Sequence, residues 1–228
     1  ITCRDWSSDV CSSDLPGAPP APPKGDPVAL QNATADHSQP GFTVAGLLDD
    51  DPKTGWGGWD AVLHEPVAAT AVVETAIDVG KAGHTTELVF TLEHNYGPPE
   101  GLLLGRFRLS ATSADRATFA DGKLNGGAIE APWTVLIPDV AWPSGQGALL
   151  IQPDGSLLAV GPYGRETYTL VCHTELVGIT GFRLEALEDA SLPKTPQGKT
   201  EGGPGRTPGE GNFTVTRLAV TARLDQPR

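Results

Sequence analysis

Apolar and polar side chains alternate every second residue in short runs along this chain, and the runs are separated by glycine, proline and aspartate. Glu87 to Glu93 (ELVFTLE) is rich in β-formers and free of breakers, and reads as a strand. Arg106 to Ser110 alternates strictly. Leu102 to Thr112 therefore reads as a half-buried strand, with Phe107 and Leu109 inside and Arg106 and Arg108 outside. Asn212 to Ala222 sets Phe213, Val215, Leu218 and Val220 against Thr214, Thr216 and Arg217, and one slip in the pattern predicts a bulge. Val28 to Ala35, Phe42 to Leu48, Thr70 to Val79, Trp133 to Ile137, Glu166 to His173 and Ile179 to Leu187 are further predicted strands. Gly147 to Gln152 and Leu157 to Val160 flank Asp154-Gly155, a hairpin-turn signal. Many short strands and hardly any helix predict an all-β fold, a β-sandwich of jelly-roll type.

The 28 glycines and 21 prolines make up more than a fifth of the 228 residues, which favours short strands over helical bundles. The net charge is −12 and the basic residues are scattered. Phosphate binding needs a concentrated basic face, so nucleic acid is excluded as a partner and an acidic membrane surface is disfavoured. No apolar run approaches the roughly 20 residues of a membrane-spanning helix.

Five segments follow. Asp5 to Leu15 (DWSSDVCSSDL) is identical to one reading frame of a common short-read sequencing adapter, so residues 1–15 are set aside as a scar. This makes the chain a fragment of a longer reading frame and removes Cys3 and Cys11 from consideration. Cys172 alone supports no disulfide framework, zinc site or haem-attachment motif, so no haem is expected in this fragment. Residues 16–27 (PGAPPAPPKGDP) form a proline-rich linker. A first β half-module spans 28–112, a connector 113–131, and a second β half-module 132–223.

The stretch Leu47 to Trp56 (LLDDDPKTGW) crowds three acids, a proline and a glycine ahead of a tryptophan. It reads as a structured acidic loop with Trp56 as its apolar anchor. Asp49, Asp51 and the carbonyl of Thr54 are candidate Ca²⁺ ligands, because Ca²⁺ takes carboxylate and carbonyl oxygens; the other reading is a solvated acidic turn. Trp59 follows a Gly-Gly pair and suits stacking on a sugar face, with Asp60 and His64 placed to bond hydroxyls. Arg106 and Arg108 are candidate ligand contacts on a concave sheet face. Arg183 and Glu185 share a strand face and predict an ion pair. Arg206 is placed to brace its loop through carbonyls. Asn32-Ala-Thr34 and Asn212-Phe-Thr214 match the glycosylation acceptor pattern. GxSxG, HExxH and Cys/His pairs at credible spacing do not occur, so no enzyme is predicted; a pair of carboxylates acting on a glycoside is the minor alternative.

Several spaced blocks resemble an accessory module of large planctomycete proteins that join a c-type cytochrome domain to domains of unknown function. They are Leu30 to Gln39, Leu48 to Trp56, Val73-Glu-Thr75 and Leu104 to Ser110, then Trp133, Asp154-Gly-Ser156, Tyr168-Thr-Leu170, Ile179 to Leu187, Ser191-Leu-Pro193, Gly203 to Arg206 and Gly211-Asn-Phe213. Here the two parts stand in reversed order, which implies either neighbouring half-modules or one permuted sandwich. The acidic loop is similar to that of discoidin or galactose-binding-like domains, a resemblance that implies Ca²⁺ and sugar. Asp50 stands where that loop has glycine, and Ala69 and Leu102 stand where the module often has histidine. The resemblance implies a galactose-binding-like, non-catalytic carbohydrate-binding module of an exported, extracytoplasmic cytochrome c-type protein. Its partners would be polysaccharide or other domains of the parent chain. A purely structural spacer without a small ligand is the alternative.

Overall fold

The computed structural model describes residues 21–97, 101–195 and 202–225. The adapter-like residues 1–15 with Cys3 and Cys11, the first part of the linker, and Pro98-Pro99 lie outside the described residues. Chain order begins with β1 (Asp26–Pro27), β2 (Leu30–Ala35), β3 (Trp56–Gly57), β4 (Trp59–Asp60) and β5 (Glu65–Pro66). Longer strands follow: β6 (Ala69–Val79), β7 (Thr86–Glu93) and β8 (Arg106–Thr112). After the connector come β9 (Thr134–Val135), β10 (Val140–Pro143), β11 (Ala148–Ile151) and β12 (Leu157–Val160). The chain ends with β13 (Thr167–Thr174), β14 (Ile179–Leu187), β15 (Thr214–Val215) and β16 (Arg217–Leu224). No helix among the described residues is long and apolar enough to cross a membrane.

Two antiparallel sheets make a jelly-roll-type sandwich. One has the order β1-β16-β7-β13-β10 and the other β11-β12-β8-β14-β6-β2, with β9 added on β8. In the first sheet Leu88, Phe90 and Leu92 of β7 lie opposite Cys172, Leu170 and Tyr168 of β13 on one side. Ala222, Val220 and Leu218 of β16 lie opposite them on the other. In the second, Phe107, Leu109 and Ala111 of β8 pair with Ala186, Leu184 and Phe182 of β14. Those three pair in turn with Ala69, Ala71 and Val73 of β6. The period-two pattern puts each row on one face, and the two apolar faces meet. Phe90 packs edge-on against Phe182 at 5.1 Å, and Phe107 stacks on Tyr168 at 5.7 Å. Both halves of the sequence feed both sheets: β7 sits between β13 and β16, and β14 between β8 and β6.

Arg106 and Arg108 alternate outward from Phe107 and Leu109, as the sequence pattern requires. The break expected in the last strand falls at Thr216, whose N–H and hydroxyl both donate to the Glu93 carbonyl. Phe42 to Leu48 is not a strand. Val44–Leu47 winds into a 3₁₀ turn, with Val44 N–H donating to Ser38 Oγ at 3.2 Å. The turn brings Gly46 against the Gly55 backbone, where a Cβ would sit 2.4 Å from the Gly55 nitrogen, so backbone packing overrides β propensity here.

The Ser113 to Ala131 connector lies over the outer face of the second sheet. Phe119 and Ala120 bury Val72 there, with Trp133 edge-on to Phe119 at 5.3 Å. At its near end the linker is drawn into the first sheet, where Asp26 and Pro27 pair with Ala222 and Thr221.

Candidate functional site

Trp56 is fully buried, edge-on to Phe213 at 5.2 Å, and its indole N–H donates to the His37 carbonyl at 2.9 Å. It is core, and it fixes where the chain leaves the sandwich. Gly58 follows so close to Phe213 that a Cβ would lie 2.4 Å from the ring. Only a residue without a side chain lets the backbone cross that ring, and it does so just before Trp59 and Asp60.

Trp59 and Asp60 then pair with Pro66 and Glu65 in a small hairpin. Asp60 Oδ1 accepts the N–H groups of Val62 at 2.8 Å and Leu63 at 2.9 Å, which folds the tip. These two bonds hold the Asp60 carboxyl below its ordinary pKa, with smaller help from His37 and His64 close by. His64 closes the tip in the left-handed region at φ 55°, a conformation uncommon for a residue with a side chain. His37 reaches the same place from the preceding turn. The Trp59 carbonyl is an acceptor only, so His37 Nε2–H donates to it, at 3.4 Å. That turn is held from below by the connector: Asn125 Oδ1 accepts from Ser38 N–H at 2.7 Å, and Gly126 N–H donates to the Asp36 carbonyl at 2.8 Å.

Trp59, Asp60 and His37 are half-buried, and His64 is exposed. Val62 is 86% exposed and Leu63 58%. The hairpin carries Trp59, Asp60, His64 and the apolar tip on one fixed loop, and His37 of the preceding turn lies close to Asp60. Sequence reasoning named Trp59, Asp60 and His64, which the fold places on one hairpin, and did not name His37, which the fold brings beside them. His37 lies 22 positions away, and its only signal was its place in the turn after Ala33-Thr-Ala35.

The arginines sit elsewhere, on the outer face of the second sheet. Arg106 donates to Ser156 Oγ at 3.0 Å and to Asp154 at 2.8 Å, and lies 3.4 Å from Asp189. Arg108 forks onto Glu185. Asp154 is pulled down to a pKa of about 2, chiefly by the Ser156 hydroxyl and N–H and then by Arg106. Arg183 is 3.2 Å from Glu185 and 5.3 Å over the Trp133 ring, the ion pair the strand face implied.

In the acidic loop, Asp49 accepts from the Thr54 hydroxyl at 2.7–2.8 Å and from Asp51 N–H at 3.0 Å. Asp51 Oδ1 accepts from Lys53 N–H at 2.9 Å, and Asp50 pairs with Arg217. The Asp49 and Asp51 carboxylates, expected with the Thr54 carbonyl to hold Ca²⁺, are thus turned onto the loop's own donors. Among the described residues, no three of His, Cys, Asp or Glu converge as a metal site.

Both glycosylation-like asparagines are engaged. Asn32 donates to Glu74 at 3.0 Å and to the Ala120 carbonyl, and Asn212, 6% exposed, donates to Gln39. Cys172 is buried, and burial pushes its thiol up to about 12.

No protein-family model and no curated protein matches the sequence. Among solved structures the chain is similar to CBM32-3 from a family 31 glycoside hydrolase of Clostridium perfringens. Identity is 11% and the TM-score 0.43, over 85% of this chain and 91% of that one. It is also similar to a structure of the Streptococcus pneumoniae beta-galactosidase BgaA, at 12% identity and TM-score 0.46, over 88% of this chain and all of that one. At these values neither neighbour assigns a site to this chain.

Proposed function

We propose that this chain is a non-catalytic, carbohydrate-binding-like module and that it holds a sugar on the hairpin from Trp59 to Pro66. The observation that supports this is a half-buried Trp59 next to Asp60, whose carboxylate has His37 and His64 close by, on a loop whose backbone is fixed at both ends. The indole takes the apolar face of the ring. Asp60, with its second oxygen outside the two tip hydrogen bonds, accepts from hydroxyls, and the imidazoles donate or accept. A preformed loop loses little entropy on binding.

The wider setting we propose is an exported parent chain of the planctomycete cytochrome c type, supported by the spaced sequence blocks from Leu30 to Phe213. Long reads across the locus test that setting: the parent frame should carry CxxCH motifs.

Binding is tested with residues 21–228 against a panel of neutral and acidic polysaccharides by affinity electrophoresis. At least one polysaccharide should retard the protein, and Trp59→Ala should weaken that binding about tenfold or more while the circular dichroism stays unchanged. Undiminished binding by Trp59→Ala would remove the hairpin from the site. No retardation by any polysaccharide would favour the structural-spacer reading.

A further inference from the structure

A second polar cluster lies inside the sandwich, where the segment 202–213 closes one end. His94, just past β7, is wholly buried; Glu166, just before β13, is 6% exposed; Arg206, in the closing segment, is 8% exposed. Each carries a buried atom without a hydrogen-bond partner: His94 Nε2, Glu166 Oε2 and Arg206 Nη1. Arg206 Nη1 and Glu166 Oε2 are 3.7 Å apart, near enough to attract but too far for a hydrogen bond. Arg206 Nη2 donates to the Gly161 carbonyl at 2.6 Å and the Pro162 carbonyl at 3.1 Å, and the guanidinium lies beside the Tyr168 hydroxyl.

The donor count identifies what fits. His94 Nδ1 is 3.0 Å from the Glu166 carbonyl, which only accepts, so Nδ1 carries the ring proton. Burial, foremost, keeps the ring neutral, with a pKa down to about 4. Nε2 is therefore a lone pair in need of a donor, and Glu166 Oε2 needs one too. Arg206 Nη1 needs an acceptor. An anion would face two acceptors, and an ammonium could not accept from arginine. A water molecule has two O–H donors and a lone pair to spare, and buried waters typically make about three such bonds.

We propose that His94 Nε2, Glu166 Oε2 and Arg206 Nη1 together hold one internal water, which donates to the first two and accepts from the third. The water completes a polar centre that pins the closing segment. That segment also carries the proposed binding hairpin: Gly203 packs on Pro66, and Phe213 lies under Gly58.

The test is a high-resolution crystal structure of the full chain, joined to NMR of its histidine rings. The expected result is a single density peak roughly 2.6–3.2 Å from all three atoms. His94 should appear as the neutral Nδ1–H tautomer, with a cross-peak from its ring protons to long-lived water. A direct Arg206–Glu166 hydrogen bond with no peak, or a ring protonated at Nε2, would overturn the proposal. Neither outcome depends on whether the chain binds sugar.

Discussion

Arg108 holds Glu185 with two parallel hydrogen bonds, Nε to Oε2 at 2.8 Å and Nη2 to Oε1 at 2.9 Å, between residues directly opposite on β8 and β14. Arg183 approaches the same carboxylate, so one acid pairs with two guanidinium groups on a largely covered face, with Asp154 a further 3.8 Å contact of Arg108. Glu185→Ala would leave those two cations facing each other. It should lower the unfolding free energy by about 2 kcal/mol, against about 1 kcal/mol for Arg108→Lys, which keeps the charge and loses the fork. Urea unfolding of both variants checks the order, and polysaccharide binding should be unchanged in Arg108→Lys.

The acidic loop gives a second prediction. Asp49→Ala removes the acceptor for the Thr54 hydroxyl and the Asp51 N–H. On an exposed loop this should cost about 0.5–1 kcal/mol. The loss of Tm should be the same in EGTA and in millimolar calcium. A calcium-dependent rise in wild-type Tm that Asp49→Ala abolishes would instead assign the loop a cation.

A third concerns acid. His94 has its pKa lowered from 6.5 to about 4, first by burial and then by Arg206. The unfolded chain therefore binds this proton while the folded chain does not, and unfolding takes it up. Stability from this group is complete above about pH 6.5 and is lost as pH falls toward 4, by about 3 kcal/mol in all. Glu166 acts the other way, because burial raises its pKa and the fold gains as it protonates. Tyr168, tilted against His94 at 4.6 Å and pushed up by burial, stays neutral throughout. Calorimetry should show Tm falling between about pH 6.5 and 4.5, while the His94 ring shifts stay flat down to about pH 5.

The closing segment gives a fourth. A Cβ on Gly205 would lie 1.9 Å from the Asn212 carbonyl oxygen, and its nearest neighbours are all backbone atoms of Gly211 and Asn212, with no side chain to move away. Gly205→Ala should cost about 2–3 kcal/mol or prevent folding. Gly164 meets nothing within 4 Å, and Gly164→Ala should be neutral or stabilise by about 0.5 kcal/mol. Thermal melts of the pair separate crowding from any general intolerance of glycine replacement.

Strands buried on one face were legible because their period is written in adjacent residues, as in Phe107 and Leu109 against Arg106 and Arg108. Short strands were not. Val140–Pro143 escaped notice because Trp142-Pro143 reads as a break, yet it lies at a sheet edge, where a missing N–H is tolerated. The hairpin from Trp59 reads as loop because two-residue strands have no period to detect. Its aromatic and carboxylate were visible as neighbours in sequence, whereas His37 joins them only through the fold. The centre at His94, Glu166 and Arg206 left no trace in sequence, since three distant segments supply one polar atom each.

The placement of β7 between β13 and β16, and of β14 between β8 and β6, has a consequence for how the protein is made. The second sheet is complete only once Leu187 of β14 has been made and the first only once Leu224 of β16 has, so the earlier strands wait with an apolar face uncovered. Native pairing must bridge long stretches of chain from the outset, which makes folding slow and exposes the nascent chain to aggregation. Separately produced halves, cut within the connector, would be expected to stay unfolded alone and to regain structure on mixing.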